Sequence, residues 1–203
     1  GYWKTPSEKN TINAFQRSFD LGFGTETDIR DLAGEIVISH DLPKGDEIRL
    51  EKFLALVSSY ENAHSLTLAL NIKSDGLLMP LKATLAEYKN LDIFVFDMSV
   101  PDSRPYLNSD LTTFMRMSEV EKTVAWLDQA DGIWLDGFSS IWYDWNVLQK
   151  LLNNGKKICV VSPELHGRDH TELWSLLTAF NQDQSLILCT DLPEAAASFF
   201  DSC

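Results

Sequence analysis

Apolar and polar positions along the chain follow two different periods in turn. Short apolar runs rich in β-branched and aromatic residues predict strands, and stretches with apolar residues three or four positions apart predict amphipathic helices. The predicted strands are Phe23–Asp31, Glu35–Asp41, Ser65–Lys73, Leu91–Ser99, Thr112–Ser118, Asp131–Phe138, Lys156–Glu164 and Ser185–Asp191. The predicted helices are one between Asn10 and Gly22, followed by Glu51–Tyr60, Leu78–Tyr88, Val120–Gln129, Trp145–Leu152, Thr171–Phe180 and Pro193–Phe200.

The order of these elements indicates an α/β protein. Continuous apolar strands that are each followed by a helix are typical of a parallel sheet covered by helices. Only the turn Leu32–Gly34 separates the first two strands, so that pair departs from the alternation. A length of 203 residues suits one domain, or at most two small ones. We therefore expect a single domain over residues 1–203.

Polar residues at the strand ends favour one α/β architecture. These residues are Glu26, Asp28, His40, Asn71, Lys73, Asp97, Arg116, Asp136, Glu164 and Asp191. A (β/α)₈ barrel builds its active site from the C-terminal ends of its strands, whereas a doubly wound sheet gathers ligands mainly at its switch point. The chain contains no G-x-G-x-x-G or G-x-x-x-x-G-K-[ST] motif for nucleotide binding. The pattern therefore favours a (β/α)₈ TIM-type barrel.

The charge balance restricts the partners of the protein. Thirty acidic residues against 17 basic ones give a formal net charge of −13. Duplex nucleic acid and anionic membranes bind cationic surfaces, so we expect neither as a partner. An anionic substrate needs a local reversal of this field, and a bound divalent cation can supply it.

Cysteine usage and hydropathy indicate the compartment. The three cysteines, Cys159, Cys189 and Cys203, are too few and too far apart for a disulfide scaffold, which favours a reducing compartment. No apolar run approaches the roughly 20 residues that a membrane-spanning helix needs. The first ten residues lack the basic start and the apolar stretch of a signal peptide. We therefore expect a cytoplasmic protein without a membrane span; its oligomeric state is not indicated.

Three residues early in the chain have the types and spacing of catalytic groups. Glu26 and Asp28 are two positions apart on one predicted strand, so both carboxylates point to the same face. Two such oxygen ligands suit Mg²⁺ or Ca²⁺, although a surface pair with lysine partners has the same spacing. His40 ends the next apolar run and could be a general acid or base, or a hydrogen-bonded structural residue.

Taken together, these residues resemble the N-terminal signature of the glycerophosphodiester phosphodiesterases. That signature runs from a His-Arg-Gly through a Pro-Glu-Asn-Thr-like helix start and an Ala-Phe pair to Glu-x-Asp and His-Asp. Its counterparts here are Gly1, Pro6–Thr11, Ala14-Phe15, Glu26-Thr27-Asp28 and His40-Asp41. Further along, Asn71-Ile72-Lys73 takes the place of the family's Glu-x-Lys, and Leu186–Phe200 resembles its last strand and Thr-Asp-x-Pro ending. The family fold is the (β/α)₈ barrel of phospholipase C-like phosphodiesterases.

The resemblance implies a metal-assisted hydrolysis of a small phosphodiester. Glu26 and Asp28, with Asn71 as a third ligand, would hold a divalent cation that polarises a phosphoryl oxygen. Lys73 would contact the phosphate, and His40 would share the acid and base roles with a second histidine. Four side chains are predicted to contact substrate: Lys73, Arg30, Asp136 and Glu164.

Two departures from the family pattern leave alternatives open. Asn71 stands where the family has a carboxylate, as it does in the phosphoinositide-specific phospholipase C barrels, so that type of activity is one alternative. The family's first catalytic histidine, its arginine and strand one of the barrel would precede Gly1. The enzyme hypothesis therefore depends on a His-Arg before Gly1, and the barrel is expected to be truncated at strand one. The other alternative is a catalytically reduced barrel that binds a phosphorylated small molecule or a partner.

Overall fold

The computed structural model describes residues 1–202, which leaves Cys203 outside it. The chain divides into two compact units, Gly1–Thr113 and Phe114–Cys203. Each unit has its own sheet and its own hydrophobic core. The single domain expected over residues 1–203 stays a prediction.

The first unit is a five-stranded sheet with four α-helices. The strands are β1 Thr25–Leu32, β2 Glu35–Ile38, β3 Ile48–Arg49, β4 Leu68–Ile72 and β5 Ile93–Phe96, and the helices are α1 Ile12–Asp20, α2 Leu50–Ser58, α3 Leu78–Leu85 and α4 Val100–Leu107. Their order in the sheet is β3-β2-β1-β4-β5. Strands β1, β4 and β5 are parallel, whereas β2 pairs antiparallel with both β1 and β3.

The second unit has a parallel sheet of order β6-β7-β8-β9. Its strands are β6 Phe114–Met117, β7 Gly132–Leu135, β8 Lys157–Val161 and β9 Leu186–Cys189, and its helices are α5 Trp145–Asn153, α6 Thr171–Leu177 and α7 Pro193–Asp201. Helix α5 begins where the sequence pattern predicts, because the side chain of Asp144 accepts a hydrogen bond from the backbone N–H of Val147 and caps the first turn.

The alternation of the strands divides each sheet into two different faces. In the first unit, Ile29, Leu70 and Val95 belong to the core cluster that includes the buried residues of α1 and α2. Their neighbours in the strands point to the other face. That other face carries Glu26, Asp28 and Asn71, which is how an apolar sheet positions polar groups for chemistry.

Most of the predicted elements are present, but the helix predicted at Val120–Gln129 is wrong. The segment forms turns, and Trp126 has a φ of 53°, which an α-helix does not accommodate. Glu121 in this segment accepts hydrogen bonds from Arg116 and Ser118, and Glu119 just before it accepts them from the backbone beyond β7. Tertiary contacts therefore override the helical pattern. The sequence reasoning also missed α4, whose two prolines conceal a helix capped by Ser99.

The α/β class with parallel sheets is confirmed, but the strands of residues 1–202 do not pair into one closed ladder. Seven of them are parallel, three in the first sheet and four in the second. The first two predicted strands form an antiparallel hairpin, because Ala33 and Gly34 both have positive φ, as tight hairpin turns require.

Candidate active site

Strands β1 and β4 bring the predicted cation ligands together. In their parallel pairing Asp28 lies opposite Asn71, and Glu26 lies opposite Ala69. Residues opposite each other in a parallel pair project from the same face, so Glu26, Asp28 and Asn71 share one surface of the sheet. The sequence pattern suggested that Glu26 and Asp28 lie at the end of their strand. In the structure β1 continues for four residues beyond Asp28 into the hairpin.

Asp28 is the centre of the polar contacts in this site. Its side chain is buried, with the Nζ atom of Lys73 3.4 Å from Oδ1 and the Nδ2 atom of Asn10 donating to Oδ2 at 3.3 Å. Thr27 in turn donates to Oδ1 of Asn10 at 3.1 Å, which fixes the orientation of that amide. The Asp28 carboxylate is therefore held in place from both sides.

Glu26 lies in an environment that resists its ionisation. Burial raises the pKa of Glu26 to about 7, and the negative charge of Asp28 acts in the same direction. The Lys73 ammonium group and the Asn71 amide act against this rise without cancelling it. Two neighbouring carboxylates that are desolvated in this way form a site that favours an added positive charge.

Asn71 supplies the observation that tests whether a cation fits. The residue is 8% exposed, and its Oδ1 atom is buried without a hydrogen-bond partner. A buried acceptor without a partner costs about 1–3 kcal/mol, and such groups need a physical explanation. Carboxylate and amide oxygens are the ligands that Mg²⁺ and Ca²⁺ prefer, so Glu26, Asp28 and Asn71 fit a hard divalent cation. Within residues 1–202 no cluster of three or more His, Cys, Asp or Glu side chains has a metal-binding arrangement, and this set has only two carboxylates.

His40 directly follows the residue that pairs with Asp28, and its side chain is exposed. Strand β2 runs back along β1, and the backbone N–H of Ser39 donates to the carbonyl of Asp28 at 3.1 Å. The His40 side chain is 70% exposed, and its Nδ1 atom is 3.0 Å from a carboxylate oxygen of Asp41. That hydrogen bond lowers the pKa of Asp41. Because a carboxylate only accepts, Nδ1 is the donor in this contact, and in the neutral ring Nε2 is then the acceptor.

Arg30 contacts the histidine segment. Its Nε atom donates to the backbone carbonyl of His40 at 3.1 Å. The guanidinium group therefore fixes the backbone position of His40 relative to β1. The substrate contact predicted for Arg30 stays a prediction.

The other two predicted substrate contacts belong to the second unit. Asp136 is 6% exposed; its Oδ1 atom accepts the Gly137 N–H at 2.7 Å and lies 2.7 Å from Nε2 of His166. Glu164 accepts hydrogen bonds from the hydroxyl groups of Ser162 and Thr190, and it joins the ends of β8 and β9. Both carboxylates have protein partners, and their contact with substrate stays a prediction.

Two polar residues of the site were assigned no role there from the sequence. Asn10 lies just before α1, which Thr11 caps, and its side chain reaches Asp28 from a backbone with φ of 55°. Asp97 was expected only as a polar residue at a strand end, and its carboxylate lies 4.0 Å from Nζ of Lys73. Both have positive φ, which Asn and Asp tolerate better than most residues. In the sequence, the residue types Asn and Asp were the signal that these two positions could have positive φ.

Solved phosphodiesterases share this fold. A phosphodiesterase from Oleispira antarctica, solved with the product sn-glycerol-3-phosphate, has a TM-score of 0.70 at 16% identity over 95% of this chain and 91% of its own. The fold is that of the glycerophosphodiester phosphodiesterases. The enzyme from Agrobacterium tumefaciens has a TM-score of 0.67 at 15% identity over 95% of this chain and 93% of its own. A glycerophosphoryl diester phosphodiesterase from Parabacteroides distasonis has a TM-score of 0.63 at 13% identity over 96% of this chain and 81% of its own.

At these identities the likeness is one of fold, and the resemblance predicted from the sequence motifs is confirmed at that level. No family sequence model matches the chain. No curated protein matches it either.

Proposed function

We propose that the protein is a divalent-cation-dependent hydrolase of small glycerophosphodiesters. The observation that carries the proposal is the buried Oδ1 atom of Asn71, which lacks a partner and shares a sheet face with Glu26 and Asp28. The fold of the glycerophosphodiester phosphodiesterases supports the same substrate class. Fold alone does not determine an activity, so the argument depends on these side chains.

Glu26, Asp28 and Asn71 would hold the cation, which is Mg²⁺ or Ca²⁺. When bound, this ion polarises a phosphoryl oxygen and offsets the charge that develops on the phosphate. Two carboxylates and a neutral amide leave the loaded site with less negative charge than three carboxylates would. An anionic phosphodiester can therefore approach a chain whose net charge is −13.

Lys73 supplies a fixed positive charge beside the cation ligands. Its side chain is 21% exposed, and its ammonium group lies against Asp28 on the sheet face that carries the proposed cation ligands. An ammonium group binds a phosphate oxygen as a point charge and strengthens that contact as the oxygen gains charge in the transition state. We assign Lys73 to the phosphate.

His40 moves a proton at Nε2. The Asp41 carboxylate holds Nδ1 protonated, which leaves Nε2 to take a proton from water or to return one to the departing alcohol oxygen. The exposure of the ring places it where substrate and water have access. A second acid or base, which the family resemblance places before Gly1, completes the pair in this proposal. The resemblance also places an eighth parallel strand before Gly1, and that strand would complete the (β/α)₈ barrel.

Two other activities are consistent with parts of the site. The amide at Asn71, in place of a carboxylate, is also the pattern of phosphoinositide-specific phospholipase C barrels, for which the product is a cyclic phosphate. Among the described residues of the first unit, His40 is the one histidine at this sheet edge. A site with one histidine in place of a pair suits a protein that binds a phosphorylated molecule without turnover.

The test is an assay of alcohol release by the protein expressed from its whole reading frame. Glycerophosphocholine and glycerophosphoinositol are incubated with the wild type, Glu26→Gln and His40→Ala, with Mg²⁺ or Ca²⁺ and with EDTA. His64→Ala is the matched control, because His64 is an exposed histidine of the Ala63–Ser65 turn. We expect cation-dependent release by the wild type and the control only. Equal release by all four proteins would overturn the site, a cyclic product would favour the phospholipase C alternative, and cation-dependent binding without release would favour the binding protein.

Two properties of the cellular context complete the proposal. Residues 1–202 include no helix with the length and apolar character to cross a bilayer. The cytoplasmic location inferred from cysteine usage stays a prediction, as does the absence of a nucleic-acid partner.

A further inference from the structure

The ammonium group of Lys73 lies between two carboxylates. Its Nζ atom is 3.4 Å from Oδ1 of Asp28 and 4.0 Å from Oδ2 of Asp97. All three side chains are largely shielded from solvent, with exposures of 21% for Lys73, 12% for Asp28 and 20% for Asp97. Charges this close in a partly desolvated place interact more strongly than surface ion pairs do.

In the proposed function, Asp28 interacts with two positive groups. It balances the Lys73 ammonium group, and it also ligates a divalent cation. The two positive groups repel each other and compete for the same carboxylate. A site that binds the cation and keeps Lys73 nearby needs a second negative group for the lysine.

The backbone at Asp97 is bent in a way that supplies this group. Asn71 lies opposite Phe96 in the pairing of β4 and β5, so these two residues and Lys73, two positions after Asn71, belong to one face. An extended residue after Phe96 would point to the opposite face. Asp97 instead has a φ of 70°, and its carboxylate lies near Lys73. Uncommon backbone conformations of this kind are concentrated at functional sites.

We infer that Asp97 is a positioning residue that takes over the Lys73 ammonium group when a divalent cation binds Asp28. The inference rests on the proposed function. Asp97 thereby weakens the competition between the lysine and the cation, and it keeps Lys73 beside the phosphate. Its carboxylate acts through Lys73 and is not itself a cation ligand.

The test is a double-mutant cycle on cation affinity, measured by titration calorimetry with Mg²⁺ alone and no substrate. The proteins are the wild type, Asp97→Asn, Lys73→Met and the double variant. Asparagine keeps the shape and the tolerance of positive φ and removes only the charge. We expect Asp97→Asn to weaken Mg²⁺ binding about tenfold, because the negative groups left near Lys73 are then the cation ligands Asp28 and Glu26. Lys73→Met should tighten binding, and adding Asp97→Asn to it should change the affinity by no more than about twofold.

Two further variants control for charge and for folding. Glu87→Gln also removes one negative charge, from an exposed position on the segment after α3, and should change the affinity by less than about twofold. Asp97→Gly keeps the backbone conformation without a side chain and should weaken binding as Asp97→Asn does.

Two results would overturn the inference alone. One is an equal loss of affinity in the presence and absence of Lys73, which would make Asp97 a direct partner of the cation. The other is an unchanged affinity in Asp97→Asn. A wild type that binds no divalent cation would instead overturn the proposed function, and the inference with it.

Discussion

Asn71 lies directly opposite Asp28 across the parallel pairing of β1 and β4, and its buried Oδ1 atom has no hydrogen-bond partner. An amide oxygen in that position lowers the stability of the fold unless something binds it. The same position holds an amide that can coordinate a hard cation. The cation of the proposed function would give this oxygen a partner.

Replacement of Asn71 should separate stability from cation binding. Asn71→Leu removes the unsatisfied oxygen and keeps a similar volume, but it also removes the amide hydrogen bond to Glu26, so we expect the unfolding free energy in EDTA to change by no more than about 1 kcal/mol. Added Mg²⁺ should no longer stabilise this variant, because the ligand set is incomplete. Urea unfolding with EDTA and with Mg²⁺ measures both effects. Loss of stability in EDTA together with a retained response to Mg²⁺ would contradict this account.

The ionisation of Glu26 should make the cation-free protein less stable as the pH rises. The folded-state pKa of Glu26 is about 7, above its unfolded value of about 4.5. The folded state therefore binds the extra proton, and the stabilisation is fully present below pH 4.5 and is lost as the pH rises through 7. We expect the loss to be on the order of 3 kcal/mol by pH 8. Glu26→Gln should abolish this part of the pH dependence in EDTA; an unchanged profile would contradict the assignment.

His40 should matter for turnover and not for folding. Its side chain is exposed, so His40→Ala should change the unfolding free energy by no more than about 0.5 kcal/mol. The loss of a proton-transfer group should lower kcat by roughly 10²-fold or more. Steady-state assays and thermal unfolding of the same preparation measure the two effects, with His64→Ala as the control. A large fall in stability with kcat retained would assign His40 a structural role.

Glu164 tests a prediction made from the sequence against the contacts in the structure. Glu164→Ala leaves the hydroxyl groups of Ser162 and Thr190 without their acceptor, so we expect a loss of about 2 kcal/mol. A contact with substrate would in addition raise KM when the assay is corrected for the folded fraction. Unfolding curves and KM values of the variant therefore separate the two roles. An unchanged unfolding free energy would contradict the conclusion that Glu164 stabilises the fold by joining the ends of β8 and β9.

The fold was largely predictable because strands and helices of α/β proteins differ in their period. The alternation located β1, β4, β5 and the strands of the second unit within a few residues. It failed where long-range contacts decide the backbone. The segment at Val120–Gln129 has helical periodicity, yet it forms turns; directly before it, Glu119 accepts hydrogen bonds from backbone N–H groups of the loop after β7. Helix α4 was missed because Pro105 argues against a helix, whereas the Ser99 cap and the buried Tyr106 stabilise one.

The candidate site was predictable to the extent that it is a property of single strands. The spacing of Glu26 and Asp28 and their order before Asn71 can be read from the chain. The proximity of Asp97 to Lys73 could not be read, because it depends on a positive φ that the residue type permits without requiring. The hydrogen bond from Arg30 to the His40 carbonyl likewise depends on the hairpin register.

The most direct test of the cation site is anomalous diffraction from a crystal soaked in Mn²⁺, which replaces Mg²⁺ and scatters more strongly. We expect one strong peak in contact with carboxylate oxygens of Glu26 and Asp28 and with Oδ1 of Asn71, at about 2.0–2.6 Å from each. The same soak of Glu26→Gln should give a weaker peak or none. A peak elsewhere, or none in the wild type at a saturating concentration, would contradict the central claim that these three residues hold the ion.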